Sequence, residues 1–245
     1  MRDLAGKTVL LTRAAGDADA WAQVIEDRGG RVFHLACIEV QPIRDPGTAA
    51  SLASALADAD WLALTSARGV EAVRALHPAP LPPRLRIAAV GATTAEAARE
   101  HLGRVDLVPP EGTGRALAEA LARALAESGG AAHARVVAAA ADRAQRHVEE
   151  VLEPLGTWVS RIAVYRTVPS APRERRQELG GMGIDAVFLA SPSAAQGLVN
   201  QANVPPEIAV LSIGPTTTEA ARRLGLHVTA EAPRPDLAGL LELLT

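Results

Sequence analysis

Short apolar runs alternate with amphipathic stretches from one end of the chain to the other. Thr8 to Thr12, Arg31 to Leu35, Trp61 to Leu64, Ile87 to Val90 and Val105 to Val108 are such runs, as are Val136 to Ala139, Asp185 to Leu189 and Ile208 to Ile213. They are too short for buried helices and bounded by turn residues, so they read as strands. Asp17 to Arg28, Thr48 to Ala57, Arg115 to about Glu127 and Gln145 to Leu152 carry helical spacing, with Trp21, Val24 and Ile25 on one stripe of the first. A last helix begins near Pro235-Asp236 and holds Leu237, Leu240, Leu241 and Leu244. Strands alternating with helices predict α/β units with parallel sheets. Short connections and right-handed crossovers make each half an open, doubly wound sheet.

Residues 38–43 and 162–167 break the pattern, being extended and alternating in polarity. They read as two linker ribbons and predict a discontinuous domain. Residues 1–37 and 168–245 form domain 1, and residues 44–161 form domain 2.

One sequence occurs twice. Val90-Gly91-Ala92-Thr93-Thr94-Ala95-Glu96-Ala97-Ala98-Arg99 returns as Ile213-Gly214-Pro215-Thr216-Thr217-Thr218-Glu219-Ala220-Ala221-Arg222. In each copy an apolar run stops at a glycine and a helix opens. Thr93 with Glu96, and Thr216 with Glu219, have the spacing of a capping box. Upstream of each copy, Thr65-Ser66 and Ser191 also follow a strand and precede a helix, so the returning half repeats the earlier plan. Helix starts beside strand ends offer free N–H groups and a positive dipole end, which suit anions. Ligands of doubly wound sheets sit outside the carboxyl ends of strands. Arg13, Thr65, Ser66, Gly91 to Thr94, Ser191 to Ser193 and Gly214 to Thr217 all fall at such ends, which predicts a ligand cleft between the domains.

Composition narrows the chemistry. Hydrophobic residues make up 48% and aromatics 2%, so the core must be built from Ala, Val and Leu. A net charge of −3 argues against nucleic-acid binding. Cys37 is the sole cysteine, in an apolar setting, and reads as a buried structural thiol. No apolar stretch is long enough to span a membrane, and the N-terminus lacks a signal-peptide core, so a cytoplasmic protein is expected. There is no dinucleotide fingerprint, no Walker A pattern and no nucleophile elbow. The six histidines lack ligand spacing, so no metal and no cofactor is expected. Asp17, Asp19 and Glu39 read as solvated or capping residues. What remains is a set of hydroxyls, helix starts and arginines, suited to holding a polyanion by positioning and electrostatics.

In this order the residues resemble one family. Val9-Leu10-Leu11-Thr12-Arg13, Ile38-Glu39, Trp61 to Val70, Ala89 to Ala95, Val164-Tyr165-Arg166, Ala190 to Ala194 and Ile213 to Thr217 together resemble the uroporphyrinogen-III synthase family over essentially the whole chain. The resemblance implies two similar doubly wound, flavodoxin-like α/β domains joined by a two-stranded linker, with the active site in the interdomain cleft. It implies a lyase that cyclises hydroxymethylbilane to uroporphyrinogen III, losing water and inverting the terminal ring, without metal or organic cofactor. Tyr165, the only tyrosine, matches the family's linker tyrosine and becomes the candidate for assisting hydroxyl departure; packing on the ribbon is its other reading. Thr65, Ser66, Gly91, Thr93, Thr94, Ser191, Pro192, Ser193, Ala194, Gly214, Thr216 and Thr217 match positions that bind substrate carboxylates, largely through backbone N–H, and Arg13 and Arg68 add charge. The implied partners are the polycarboxylate tetrapyrrole substrate and the upstream enzyme that makes it, with a monomer as the expected state. The chain departs from the family at Ala140 to Arg146, where a Gly- and Arg-rich turn has lost its glycines, so backbone approach to a ligand is harder there. A cytosolic two-domain anion sensor or carrier without catalysis is the alternative.

Overall fold

A computed structural model describes residues 4–14 and 18–244. The expectations placed on Asp17 and on the first three residues lie outside that range. The chain opens with β1 (Thr8–Leu11), α1 (Asp19–Glu26) and β2 (Arg31–His34), then enters β3 (Ile38–Pro42). Next come α2 (Pro46–Asp58), β4 (Trp61–Leu64), α3 (Ala67–Leu76), β5 (Arg86–Ala89), α4 (Ala92–Leu102) and α5 (Gly114–Glu127). They are followed by β6 (Arg135–Ala141), α6 (His147–Leu152) with a short 3₁₀ turn, and the long β7 (Trp158–Pro169). The returning part holds β8 (Gln177–Glu178), β9 (Ala186–Leu189), α7 (Pro192–Gln201), β10 (Ala202–Asn203), β11 (Ala209–Ser212), α8 (Pro215–Arg223), β12 (Val228–Glu231) and α9 (Leu237–Glu242).

The chain divides into two compact units, residues 1–40 with 167–245, and residues 41–166. The first contains a five-stranded sheet in the order β12-β11-β9-β1-β2, and its recorded pairs are parallel. That is the flavodoxin-like order, in which the winding reverses between the first strand and its central neighbour. The second unit's sheet runs β3-β7-β6-β4-β5, with parallel pairs across β7-β6-β4-β5 and the reversal between β4 and β6.

Each sheet is covered on both faces, which is why its inner strands β1, β4 and β9 are buried along their whole length rather than alternating. In the first unit Leu10, Val187, Leu189 and Val210 pack with Ala195 and Leu198 of α7, while Val9, Leu11 and Phe188 pack with Ile25 of α1 and Leu240 of α9. In the second, Leu62, Leu64 and Val137 meet Val70 and Val73 of α3, and Trp61, Ala63 and Val136 meet Leu117 and Leu121 of α5. Cys37 is fully buried, and desolvation pushes its thiol up to about 12 against a smaller opposing pull from the Arg173 charge. It lies under α7, where a Cβ on Gly197 would stand 1.6 Å from the Cys37 carbonyl oxygen.

Three expectations are corrected. Residues 105–108 do not form a strand; Leu107 makes an isolated bridge to Ala88. Thr93 and Thr216 are not helix caps. Gly91 and Gly214 occupy that position in extended backbone, and neither helix has a side-chain cap bond, so the two capping boxes do not form. The glycines place the helix starts two residues earlier than the Thr–Glu spacing suggests. Finally, the repeat is local and not positional. β4-α3-β5-α4 and β9-α7-β11-α8 share one plan, but in chain order β4 and β5 are the second and third strands of their sheet, after the edge strand β3, whereas β9 and β11 are the third and fourth of theirs.

Candidate active site

In the second unit, Thr65 and Ser66 leave the carboxyl end of β4 beside the winding reversal. Ser66 caps α3, its Oγ accepting from the Gly69 N–H at 3.1 Å. The same Oγ lies 3.0 Å from the Tyr165 hydroxyl. Tyr165 reaches it because β7 carries a bulge. Ala140 pairs with Ala163, but Ala141 pairs with Tyr165, so one residue of β7 is skipped. In a regular strand neighbours point to opposite faces. The bulge instead turns both Val164 and Tyr165 onto the cluster formed with α3. Gly69 completes the arrangement. A Cβ there would sit 3.3 Å from Ser66 Oγ and 3.9 Å from Tyr165 Cε1.

Serine has one proton to give and lone pairs to accept with. With one lone pair taken by Gly69 N–H, Ser66 can donate to the phenol oxygen and leave the Tyr165 proton directed elsewhere. The positive end of α3 favours electron density at this pair.

The helix starts differ in what they offer. At α3 the Gly69 N–H is taken by Ser66, and Arg68 stands half-buried in the first turn. At α4 the cap is a glycine, so no side chain competes for the N–H groups of Ala92, Thr93 and Thr94. Gly91 lies against Gly112, where a Cβ on Gly91 would be 3.5 Å from the Gly112 Cα, and this brings the α4 and α5 starts together. The Thr93 side chain is exposed and that of Thr94 is buried.

The first unit shows the same positions with fewer donors. Arg13 follows β1, and its guanidinium stacks over Trp21 at 4.4 Å. The Arg13 carbonyl accepts from His34 Nε2 at 2.9 Å. Ser191 caps α7 and accepts from Ala194 N–H at 3.1 Å. Pro192 has no N–H and that of Ala194 is engaged, so Ser193 supplies the backbone donor and a half-buried side chain at this start. At α8, Pro215 again lacks an N–H, while the Thr217 and Thr218 amides bond to the Gly214 carbonyl at 3.1 and 3.0 Å. Thr216 is exposed and Thr217 buried. Thr218 is tied inward, 2.6 Å from Ser212 Oγ and 2.5 Å from Glu231 Oε2.

Sequence reasoning did not single out Gly69, nor the bonds that hold the loop after β6. Arg161, on β7, donates to the carbonyls of Ala141 and Ala144 and to the Glu149 carboxylate. A long polar residue four positions before Tyr165 on the same strand was the available signal. Among the described residues no cluster of His, Cys, Asp or Glu is arranged to hold a metal, and no helix is long and apolar enough to cross a membrane. A cavity of about 570 Å³ between α2 and the first residues of β6 and β7 contains none of the predicted residues and lies at the opposite strand ends.

Comparison with known proteins gives the same direction. The family model described as uroporphyrinogen-III synthase HemD matches residues 19–242. The chain belongs to the uroporphyrinogen-III synthase family. A relative from Synechococcus elongatus named uroporphyrinogen-III synthase is 27% identical over 97% of this chain and 94% of its own length. Among solved structures, a mutant uroporphyrinogen III synthase from Thermus thermophilus is 16% identical, with a TM-score of 0.53 over 96% of both chains. The Helicobacter pylori uroporphyrinogen-III synthetase is also 16% identical with a TM-score of 0.53, over 99% of this chain and 98% of that one. Those two likenesses speak to the fold, a two-domain α/β architecture. Membership of this enzyme family sets aside the sensor or carrier.

Proposed function

We infer that this chain is a lyase that closes hydroxymethylbilane to uroporphyrinogen III with inversion of the terminal ring. The family match over residues 19–242 carries the activity. The Ser66–Tyr165 pair carries the residue assignment.

The reaction begins with departure of the substrate hydroxyl. Tyr165 gives its proton to that oxygen, which leaves as water while the pyrrole lone pair takes up the electron deficiency. Ser66 donates to the phenol oxygen and steadies the charge left on it. Positioned acid catalysis of this kind contributes about a hundredfold to ten-thousandfold. The bilane also closes unaided to the uninverted isomer, so the second task is to hold the terminal ring while inversion overtakes direct closure.

Helix starts at the carboxyl ends of strands would grip acetate and propionate groups for that purpose. The α4 start is the strongest candidate, because its cap is glycine and three N–H groups face no side-chain competitor. Thr93, Ser193 and Thr216 add hydroxyls at their helix starts, and Arg13 and Arg68 add charge. Thr65, Thr94, Ser191, Pro192, Ala194, Gly214 and Thr217 shape these turns through backbone and packing. No cofactor is assigned a part. We further infer a cytoplasmic monomer that receives its substrate from the enzyme that makes the bilane.

Thr93→Val separates the two tasks. Its hydroxyl binds in this reading but does not cap, so KM for the bilane should rise with little change in melting temperature. An unchanged KM would remove Thr93 from the site.

A further inference from the structure

The connection between β6 and α6 contains no glycine to make it compliant, yet it runs directly beside Tyr165. Ala141, at its start, pairs with Tyr165, and the Asp142 N–H donates to the Tyr165 carbonyl at 3.0 Å. One side chain, Arg161, bonds along most of its length. Arg161 is largely buried, 20% exposed. Its Nη2 donates to the Ala141 carbonyl at 3.0 Å and to the Ala144 carbonyl at 2.7 Å. Its Nη1 donates to the Gln145 carbonyl at 3.4 Å and to Glu149 Oε1 at 3.2 Å. The Glu149 side chain is 3% exposed and also accepts from Arg146 Nε at 3.3 Å.

A buried carboxylate must be matched by donors, and a planar guanidinium with its donors in a fixed fork suits that task better than an ammonium group. Here the fork spans the whole connection, from the last residue of β6 to the first turn of α6. The bulge that aims Tyr165 lies between Ala140 and Ala141, at the edge of this clamp. Closing the connection elsewhere would leave the bulge free to relax into a regular register and turn the phenol away from Ser66.

We propose that Arg161, anchored by Glu149, is a positioning residue for Tyr165, holding the bulge that directs the phenol at Ser66. The proposal rests on the lyase reading above, in which Tyr165 is the proton donor. The clamp holds this connection in one conformation through side-chain bonds.

The test is a double-mutant cycle with hydroxymethylbilane as substrate. Arg161→Lys keeps the charge and loses the fork. A small displacement of a reacting group costs up to about a hundredfold, so kcat should fall about tenfold or more, with KM changing less than about twofold. In the Tyr165→Phe background the same change should cost less than about twofold, because the group it positions is gone. Amide hydrogen exchange across residues 141–146 should quicken in both backgrounds. Glu149→Gln is the second variant and should reproduce the pattern more weakly. Equal losses with and without Tyr165, or losses that only track the folded fraction in both variants, would overturn the proposal. An inactive wild-type chain would sink the lyase reading itself, whereas an active wild type with an unaffected Arg161→Lys would sink the positioning role alone.

Discussion

Tyr165 illustrates how much a single residue's position owes to the backbone beneath it. Its presence on the second ribbon was legible as soon as the alternation of residues 162–167 was read. The face it occupies was not, because strict alternation sends Val164 and Tyr165 to opposite sides, and the bulge against Ala140 and Ala141 overrides that. Bulges are backbone decisions with little sequence signature. Ser66 was legible as a strand-end hydroxyl, but its bond to the phenol depends on a contact across 99 residues. Two predictions belong here. Tyr165→Phe should slow turnover by about a hundredfold or more, while the product that forms is still the inverted isomer; product analysis by chromatography checks both. A wild-type rate would reduce Tyr165 to packing. Ser66→Ala should slow turnover less in the Tyr165→Phe background than alone, and it should also destabilise by about 1 kcal/mol through loss of the α3 cap. Equal kinetic losses in the two backgrounds would mean that Ser66 does not support the phenol.

At the scale of elements, the inner strands β1, β4, β6, β9 and β11 were legible close to their ends because both faces of each sheet are covered and their runs are apolar, whereas β8, β10 and β12 were not singled out and residues 105–108 form no strand. Helix starts were less so. The Thr–Glu spacings at 93–96 and 216–219 suggested caps, but Gly91 and Gly214 take that position in extended backbone. The asymmetry between the two copies was in fact readable, since Pro215 removes an N–H that Ala92 keeps. Close helix packing was not readable. Gly197 looks like a tolerated glycine inside α7, but its missing Cβ is what lets α7 lie on the Cys37 carbonyl. Gly197→Ala should therefore destabilise by about 3 kcal/mol or more, seen as a lower denaturation midpoint. It should also expose Cys37, whose thiol resists alkylation while buried. An unchanged midpoint would mean that α7 can shift without cost. The α2 cap gives a pH test. Asp45 accepts from the Thr48 hydroxyl and amide, and these bonds hold its carboxyl below the ordinary carboxylate value. A lowered value contributes stability above the unfolded pKa and loses it as pH falls through the folded one. Asp45→Asn should thus melt below wild type at neutral pH and converge with it under acid conditions. A constant difference across that range would contradict the charge-linked part.

At the scale of the whole molecule, two ribbons at residues 38–43 and 162–167 suggested a discontinuous arrangement; the compact units divide between residues 40 and 41 and between 166 and 167, and the second ribbon lies within β7, which pairs with β6. What the ribbons could not convey is that the repeated module occupies different places in the two sheets. Local sequence specifies strand, turn and helix, whereas strand order is decided by which edges remain open when each strand arrives. Because residues 41–166 are contiguous and carry their own sheet and two buried clusters, a fragment of residues 38–169 should fold alone with a cooperative melt by circular dichroism. A non-cooperative transition would mean that this unit depends on the rest of the chain for its fold.

The central claim is that this chain converts hydroxymethylbilane to the inverted macrocycle. An assay that generates the bilane in place, with the type I and type III uroporphyrinogens separated by chromatography after oxidation, tests it most directly. The account predicts rapid consumption of the bilane and a product that is predominantly type III. Type I alone, formed at the rate seen without this chain, would contradict it.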